Sequence, residues 1–214
     1  MDNGEKKKLL ENLAGQYDKK YNDRYNRLYD AVLNAIKKQK EIDEKILEDF
    51  YLFKGAGMAL CPLRLKLWFN ELNKDNLSRL FQIMNQVNGR KWDWGGEDFM
   101  NLWKKIFREI DKLEIPGLGF GMTAALLHFV YSDKLGMYDM QTKKALYYIL
   151  NKEKDYNEKS NVSEFFKYHT CFYKKFESMM ENQIFSHRDI DKALFIQGQK
   201  LKWNKNSKTF SIKR

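Results

Sequence analysis

The residues whose types and spacing could do chemistry concentrate between positions 115 and 139, in the stretch IPGLGFGMTAALLHFVYSDKLGMYD. Gly117, Gly119 and Gly121 follow Pro116 at alternate positions, a pattern that lets a backbone turn tightly and present bare N–H groups. The apolar run 122–131 predicts a buried helix whose N-terminus points at whatever those groups hold. The usual guest at such a terminus is an anion such as a phosphate. Beyond the helix come a short loop and a carboxylate, Asp139, with Lys143 and Lys144 adding positive charge close behind it.

A second stretch carries nucleobase-like chemistry. The connector 88–96, NGRKWDWGG, sets Arg90, Lys91, Trp92 and Trp94 among glycines. The two tryptophans have two open uses: they close the core, or they stack on and wedge between bases. His128 sits in the apolar run and reads as a core histidine. His169 and His187 form no metal spacing with Cys171, so no transition-metal site and no cofactor are expected.

The elements that must position these residues are helical by pattern. Tyr21, Tyr25, Leu28, Tyr29, Val32, Leu33 and Ile36 recur at steps of three and four in a helix reaching about position 38, and Ile42, Ile46, Phe50 and Phe53 mark a second that stops near Gly55. Pro62 suits the first turn of a third, with Leu63, Leu67 and Trp68 on one face. Further helices are expected over 73–87, with Asp75 or Asn76 as cap, over 97–113, over 140–150 and over 162–180. Ser186 and Asp189 have the spacing of a capping box that opens another to about position 197, with Gly198 as its stop. The basic tail LKWNKNSKTFSIKR predicts a small hairpin around 204–207 with Trp203 facing Phe210, or an arm that tracks phosphates. The fold class is therefore all-α: a single helical domain over 1–200, followed by the tail or hairpin of 201–214.

Composition narrows the partners. The chain of 214 residues carries a net charge of +10 and a pI near 9.3, a balance that favours a polyanion over a small metabolite, the plain alternative being solubility alone. With 43% hydrophobic residues it can fill one core, or form one domain with a satellite. Cys61 and Cys171 fit no metal or redox spacing and are expected to be buried, reduced thiols. The start MDNGEKKKLL has no signal-peptide core and no run approaches the roughly 20 apolar residues of a membrane span, so a cytoplasmic monomer without membrane contact is expected.

The turn has a family likeness. IPGLG followed by Thr123 and Ala124 resembles the L-P-G-V-G hairpin of the helix-hairpin-helix DNA glycosylases, the superfamily of endonuclease III, adenine glycosylase and the 8-oxoguanine glycosylases. Asp139 lies 22 positions after Gly117, the interval at which that superfamily places its catalytic aspartate. YDMQTKKAL is similar to its D-x-H-x-x-R-x-L continuation, with Gln141 in place of the histidine. More narrowly, GLGFGMTAALLHF followed by MYDMQTKKAL is similar to a bacterial group described as having the 8-oxoguanine-glycosylase fold. The likeness covers 97–150, a quarter of the chain.

What the resemblance implies is a helical glycosylase-like domain with its helix-hairpin-helix at about 97–132, double-stranded DNA as partner, and Asp139 as the catalytic carboxylate, against an ordinary N-cap as the plain reading. Backbone N–H groups of Gly117, Gly119 and Gly121, with Lys143 and Lys144, would take DNA phosphates. Hairpins of this kind often hold a monovalent cation through carbonyls, here those of Ile115 and Leu118. Bifunctional members carry a lysine just after the second hairpin glycine, which attacks the sugar C1′. Here that place is Gly121 or Met122, so the implied enzyme is monofunctional, without lyase activity. The target base must leave the stack, and Trp92, Trp94, His128, Tyr138 and Gln141 are the candidates for pocket or wedge. Host DNA repair and antiviral defence, through hypermodified bases in phage DNA, are both open as the cellular job, and a non-catalytic DNA-binding protein is the alternative.

Overall fold

The computed structural model describes residues 3–39, 42–55, 74–172 and 186–213. Among them are eight α-helices and one two-stranded antiparallel sheet at the C-terminal end, so the all-α expectation with a small hairpin holds. The expected helix around Cys61 and Pro62, and the part of the 162–180 helix beyond position 172, lie outside the described residues. The helices are α1 (Asn3–Gln39), α2 (Glu44–Gly55), α3 (Lys74–Met84), α4 (Glu97–Asp111), α5 (Phe120–Val130), α6 (Met140–Ile149), α7 (Val162–Phe172) and α8 (His187–Lys200), followed by strands β1 (Leu201–Asn204) and β2 (Thr209–Ile212). No helix among the described residues is long and apolar enough to cross a membrane.

The chain gathers into two compact units, one of Met1–Lys20 with Asp133–Arg214 and one of Tyr21–Ser132. The C-terminal hairpin, expected as a separate tail from position 201, packs into the first unit. Its Leu201 and Phe210 bury against Tyr147 and Tyr156, with Trp203 and Tyr148 partly covering them. Trp203 and Phe210 are cross-strand partners with ring centroids 4.7 Å apart, as the alternation of the tail predicts.

In the first unit, α8 is the central element. It opens with the anticipated capping box: Ser186 Oγ accepts from the Asp189 N–H, and Asp189 Oδ2 accepts from the Ser186 N–H. The first part of α1 runs along it. Tyr17 meets Phe195 edge to face, Arg188 lies over the Tyr17 ring and donates to its hydroxyl, and Lys192 pairs with Asp18 at 2.8 Å. Gly198 does not end α8, which continues to Lys200. A Cβ built on Gly198 would stand 2.0 Å from the Gln141 carbonyl oxygen, so the glycine lets the α8 backbone rest on the first turn of α6.

The second unit is organised around aromatic side chains. Tyr29 of α1, Phe50 and Phe53 of α2 and Phe129 of α5 form one cluster, with centroids 4.9 to 5.8 Å apart. Trp92, Trp94, Phe99, Trp103 and Tyr131 form another, in which the rings of Trp94 and Trp103 are nearly parallel at 6.3 Å. α3 contributes Leu77, Leu80, Ile83 and Met84, and Asp75 lies inside its first turn.

Two glycines in helices should respond to alanine with opposite signs. Gly198→Ala forces a methyl group into the Gln141 backbone and should destabilise the protein by about 3 kcal/mol, near the upper end of overpacking costs. Gly15→Ala, exposed on α1 with nothing within 4 Å of the new methyl, should stabilise it by roughly 0.5 to 1 kcal/mol through helix propensity. Chemical denaturation of the two variants measures both.

Candidate functional site

The glycine turn joins α4 to α5 within the second unit. The Leu118 N–H donates to the Ile115 carbonyl at 3.0 Å, with Pro116 and Gly117 between and Gly117 at φ 77°. This is the arrangement that favours proline at the first central position and demands glycine at the second. The Tyr51 hydroxyl, from α2, donates to the Pro116 carbonyl at 2.8 Å, and the Phe107 and Phe120 rings stack at 4.3 Å across the two helices. Thr123 Oγ1 donates to the Leu118 carbonyl, and Gly119 is the N-cap of α5. The turn is thus held from below by Tyr51, which sequence reasoning passed over.

Gly117, Gly119 and Gly121 are all exposed, and a Cβ at Gly119 or Gly121 would meet nothing within 4 Å. The open space leaves room for another molecule to approach the first turn of α5, where N–H groups lack intrahelical acceptors. The carbonyls of Ile115 and Leu118 each accept an internal hydrogen bond. A monovalent cation there would use their remaining lone pairs.

Trp92 and Trp94 belong to the aromatic cluster on Trp103, both half-buried, which is the core-closing use of the two. The Trp92 ring packs on Phe99, Trp103 and Tyr131, and the Trp94 ring on Phe99 and Trp103. His128 is fully buried, with Nε2 2.7 Å from the Tyr29 hydroxyl. Among the described residues, the tryptophan pair and His128 are packed against other side chains.

Asp139 lies in the first unit. It is the N-cap of α6: Oδ1 accepts from the N–H groups of Gln141 at 2.8 Å and Thr142 at 2.9 Å, while Thr142 Oγ1 accepts from the Asp139 N–H at 3.0 Å. The residues just before it are held by side chains of two other helices. Asp191 Oδ1 of α8 accepts from the Met137 N–H at 2.8 Å, and the Met137 carbonyl receives both the Thr142 hydroxyl at 2.8 Å and the Tyr168 hydroxyl at 3.0 Å. Burial pushes the Tyr168 pKa upward, keeping that hydroxyl a donor. His169 Nε2 lies 3.0 Å from the Gly136 carbonyl. Asp191, Tyr168 and His169 carry no motif that points to them from sequence.

The structure places the two lysines differently from the expectation. Lys143 is fully buried, its ammonium donating to the Lys159 carbonyl at 2.9 Å and lying 5.3 Å from the Tyr156 ring and 5.7 Å from that of Tyr138. Lys144 is also buried and donates to the Leu201 carbonyl at 3.3 Å. Burial lowers both pKa values, with Glu164 opposing it for Lys143, while for Lys144 Lys213 adds to it and Asp139 opposes it. The physical reason is that α6 buries nearly its whole circumference, so its lysines thread their stems inward and end on main-chain carbonyls. Neither offers charge to a phosphate.

Tyr138 is buried against Phe165 and Tyr168, and Gln141 is half-buried beside Gly198, with its Oε1 enclosed and without a hydrogen-bond partner among the described residues. The apolar side chain that does stand out beside Asp139 is Met140, 56% exposed at the first position of α6. Its exposure could not be read from its residue type, since a methionine is as readily a core side chain. Among the described residues no three or more His, Cys, Asp or Glu side chains are grouped to hold a metal. The glycine turn and Asp139 thus lie in different units, each with its own supports.

Compared with protein-family models, curated proteins and solved structures, the chain matches none.

The support under Asp139 has a pH signature. Both ring nitrogens of His169 face carbonyls, Phe165 at 2.9 Å and Gly136 at 3.0 Å, which favours the imidazolium, but complete burial opposes it more strongly and lowers the pKa to about 4. Between pH 6.5 and 4 the unfolded chain binds a proton that the folded chain refuses, so stability falls as pH drops through that window, by up to about 3 kcal/mol. Denaturation of wild type and His169→Gln across this range should show the wild type losing stability more steeply. A wild type that gains stability on acidification would place an imidazolium between the two carbonyls instead.

Proposed function

We propose that the chain is a monofunctional DNA glycosylase that hydrolyses the bond between a flipped, damaged or hypermodified base and its sugar, leaving an abasic site. The observation that carries the reading is that side chains from two other helices hold the segment leading into Asp139. An N-cap alone needs its own carboxylate and the next turn. Here Gly136 and Met137 are also fixed by Asp191, Tyr168 and His169 from two other helices, the over-determination that a positioned reactive group requires.

Rupture of the glycosidic bond builds positive charge on the sugar ring. The Asp139 carboxylate stabilises that charge and orients the water that attacks C1′. As the C1′–O bond forms, the water's proton passes to the carboxylate, and the base leaves with the electrons of the broken C1′–N bond and takes a proton from solvent. The exposed glycine turn accepts a DNA phosphate on the first-turn N–H groups of α5, and Met140 lines the approach to Asp139 with an apolar surface. Double-stranded DNA is the partner, in repair of the cell's own genome or in defence against modified phage DNA. No hairpin lysine is present to form a Schiff base, and Lys143 and Lys144 end on main-chain carbonyls.

The complete capping box around Asp139 favours a second reading, a non-catalytic DNA-binding protein in which the carboxylate only starts a helix. Incubation with duplexes and phage genomes of varied base content, scored for abasic sites, separates the two. Wild type should generate them on at least one substrate, and Asp139→Asn should slow the reaction by a factor of about 100 or more. Binding without abasic product across the panel would favour the second reading. Borohydride should trap no covalent adduct, and one that forms would overturn the monofunctional assignment.

The turn makes a separate test. Gly121→Ala should raise stability by up to about 1 kcal/mol, since nothing opposes the methyl and helix propensity favours it. The same methyl would obstruct the phosphate, so duplex affinity should fall. Unchanged affinity in the stabilised variant would remove the glycine turn from the DNA contact.

A further inference from the structure

The C-terminal hairpin presents one face that contains donors but no carboxylate. Strand alternation sends Leu201, Trp203 and Phe210 inward onto Tyr147 and Tyr156, and sets Lys202 opposite Ser211 and Asn204 opposite Thr209 on the other side, all four exposed. Lys205 and Lys208 stand at the tip and Lys213 follows β2, each exposed as well. No acidic residue follows Asp191 in the chain. The carboxylate in contact with this group is Glu158, 2.7 Å from the Lys205 ammonium at the hairpin's end. Ile212, 63% exposed, pairs with Leu201 and so belongs to the opposite face from Lys202.

The hairpin is also stiff. The Trp203, Phe210 and Tyr156 rings lie 4.7 to 4.9 Å apart in mutual contact. Asn204 Oδ1 accepts the N–H groups of Asn206 and Ser207 across the tip, and the Lys213 N–H closes onto the Lys200 carbonyl at 2.7 Å. Such a ribbon fixes where its lysine stems attach, and the ammonium at the end of each is a point charge suited to a phosphate.

We propose that this outer face is a DNA-docking surface, a two-stranded ribbon that enters the major groove of B-form DNA with Lys202, Lys205, Lys208 and Lys213 reaching the flanking phosphates. A two-stranded ribbon fits a groove about 12 Å wide, whereas the deep, narrow major groove of A-form RNA excludes it. The lysine face has no apolar side chain to insert into a bilayer, so a lipid surface would be held by charge alone. The inference shares with the proposed function the premise that the partner is DNA, but it concerns a different surface and does not require base excision.

The test is the salt dependence of binding of the full chain to a labelled random-sequence duplex, followed by fluorescence anisotropy. Each phosphate contact contributes about 0.9 to the slope of log affinity against log salt. The K202S/K205S/K208S/K213S variant should therefore lose about 3 to 4 from the slope, and the corresponding four-arginine variant should retain it. A control variant, K37S/K38S/K74S/K105S, removes the same charge from exposed positions elsewhere and should change the slope by less than 1.

A wild-type slope in the serine variant, or an equal loss in the control, would overturn the proposal. So would serine substitutions that weaken binding to double-stranded RNA or to phosphatidylserine vesicles while sparing the DNA duplex. Thermal unfolding followed by circular dichroism checks that the substituted chains fold. Loss of slope without abasic product leaves the ribbon standing and removes the glycosylase, whereas abasic product with an unchanged slope does the reverse.

Discussion

The first unit depends on a backbone-to-backbone approach that only glycine permits. At Gly198, α8 comes so close to Gln141 that a methyl group would overlap its carbonyl. That proximity sets the position of α8 relative to the first turn of α6, and with it the reach of Asp191 to the Met137 N–H. From the other side, α7 supplies Tyr168 and His169 to the same short segment. The peptide groups preceding Asp139 are consequently satisfied inside the protein, as buried main-chain polar groups must be. A side chain that leaves such a segment has little freedom in where it begins.

The second unit solves a different problem with different means. Its turn carries small residues outward, so rigidity has to come from beneath, and aromatic contacts provide it: Tyr51 on the Pro116 carbonyl and Phe107 stacked on Phe120. The tryptophans at 92 and 94 extend the same packing around Trp103. Large rings bury much area at few rotatable bonds, which suits a unit whose outward surface includes bare backbone.

What the sequence made legible was local. The Ser186 and Asp189 capping box, the turn at Pro116 and Gly117, the capping position of Asp139 and the facing of Trp203 and Phe210 all depend on residues a few positions apart or on strand alternation. Gly198 misled because a glycine that ends a helix and one that admits a neighbouring helix look alike in a linear chain. Lys143 and Lys144 misled because charge marks a side chain as polar without saying whether its stem threads through a core. Tyr51 and Asp191 were invisible for a third reason: their partners are 65 and 54 positions away, and a single side chain hydrogen-bonding a distant main chain leaves no periodic trace.

The division of the chain has a consequence for how it folds. The first unit joins Met1–Lys20 to Asp133–Arg214, while the second is continuous from Tyr21 to Ser132. During synthesis the continuous unit can close while the ribosome is still adding α7 and α8. Tyr17 and Asp18 are made before Arg188, Lys192 and Phe195, with 171 positions separating Tyr17 from Arg188. The apolar stripe of Leu10, Leu13, Ala14 and Tyr17, buried in the fold, is therefore made well before α8, and this stretch of the nascent chain is the one that would call on a chaperone.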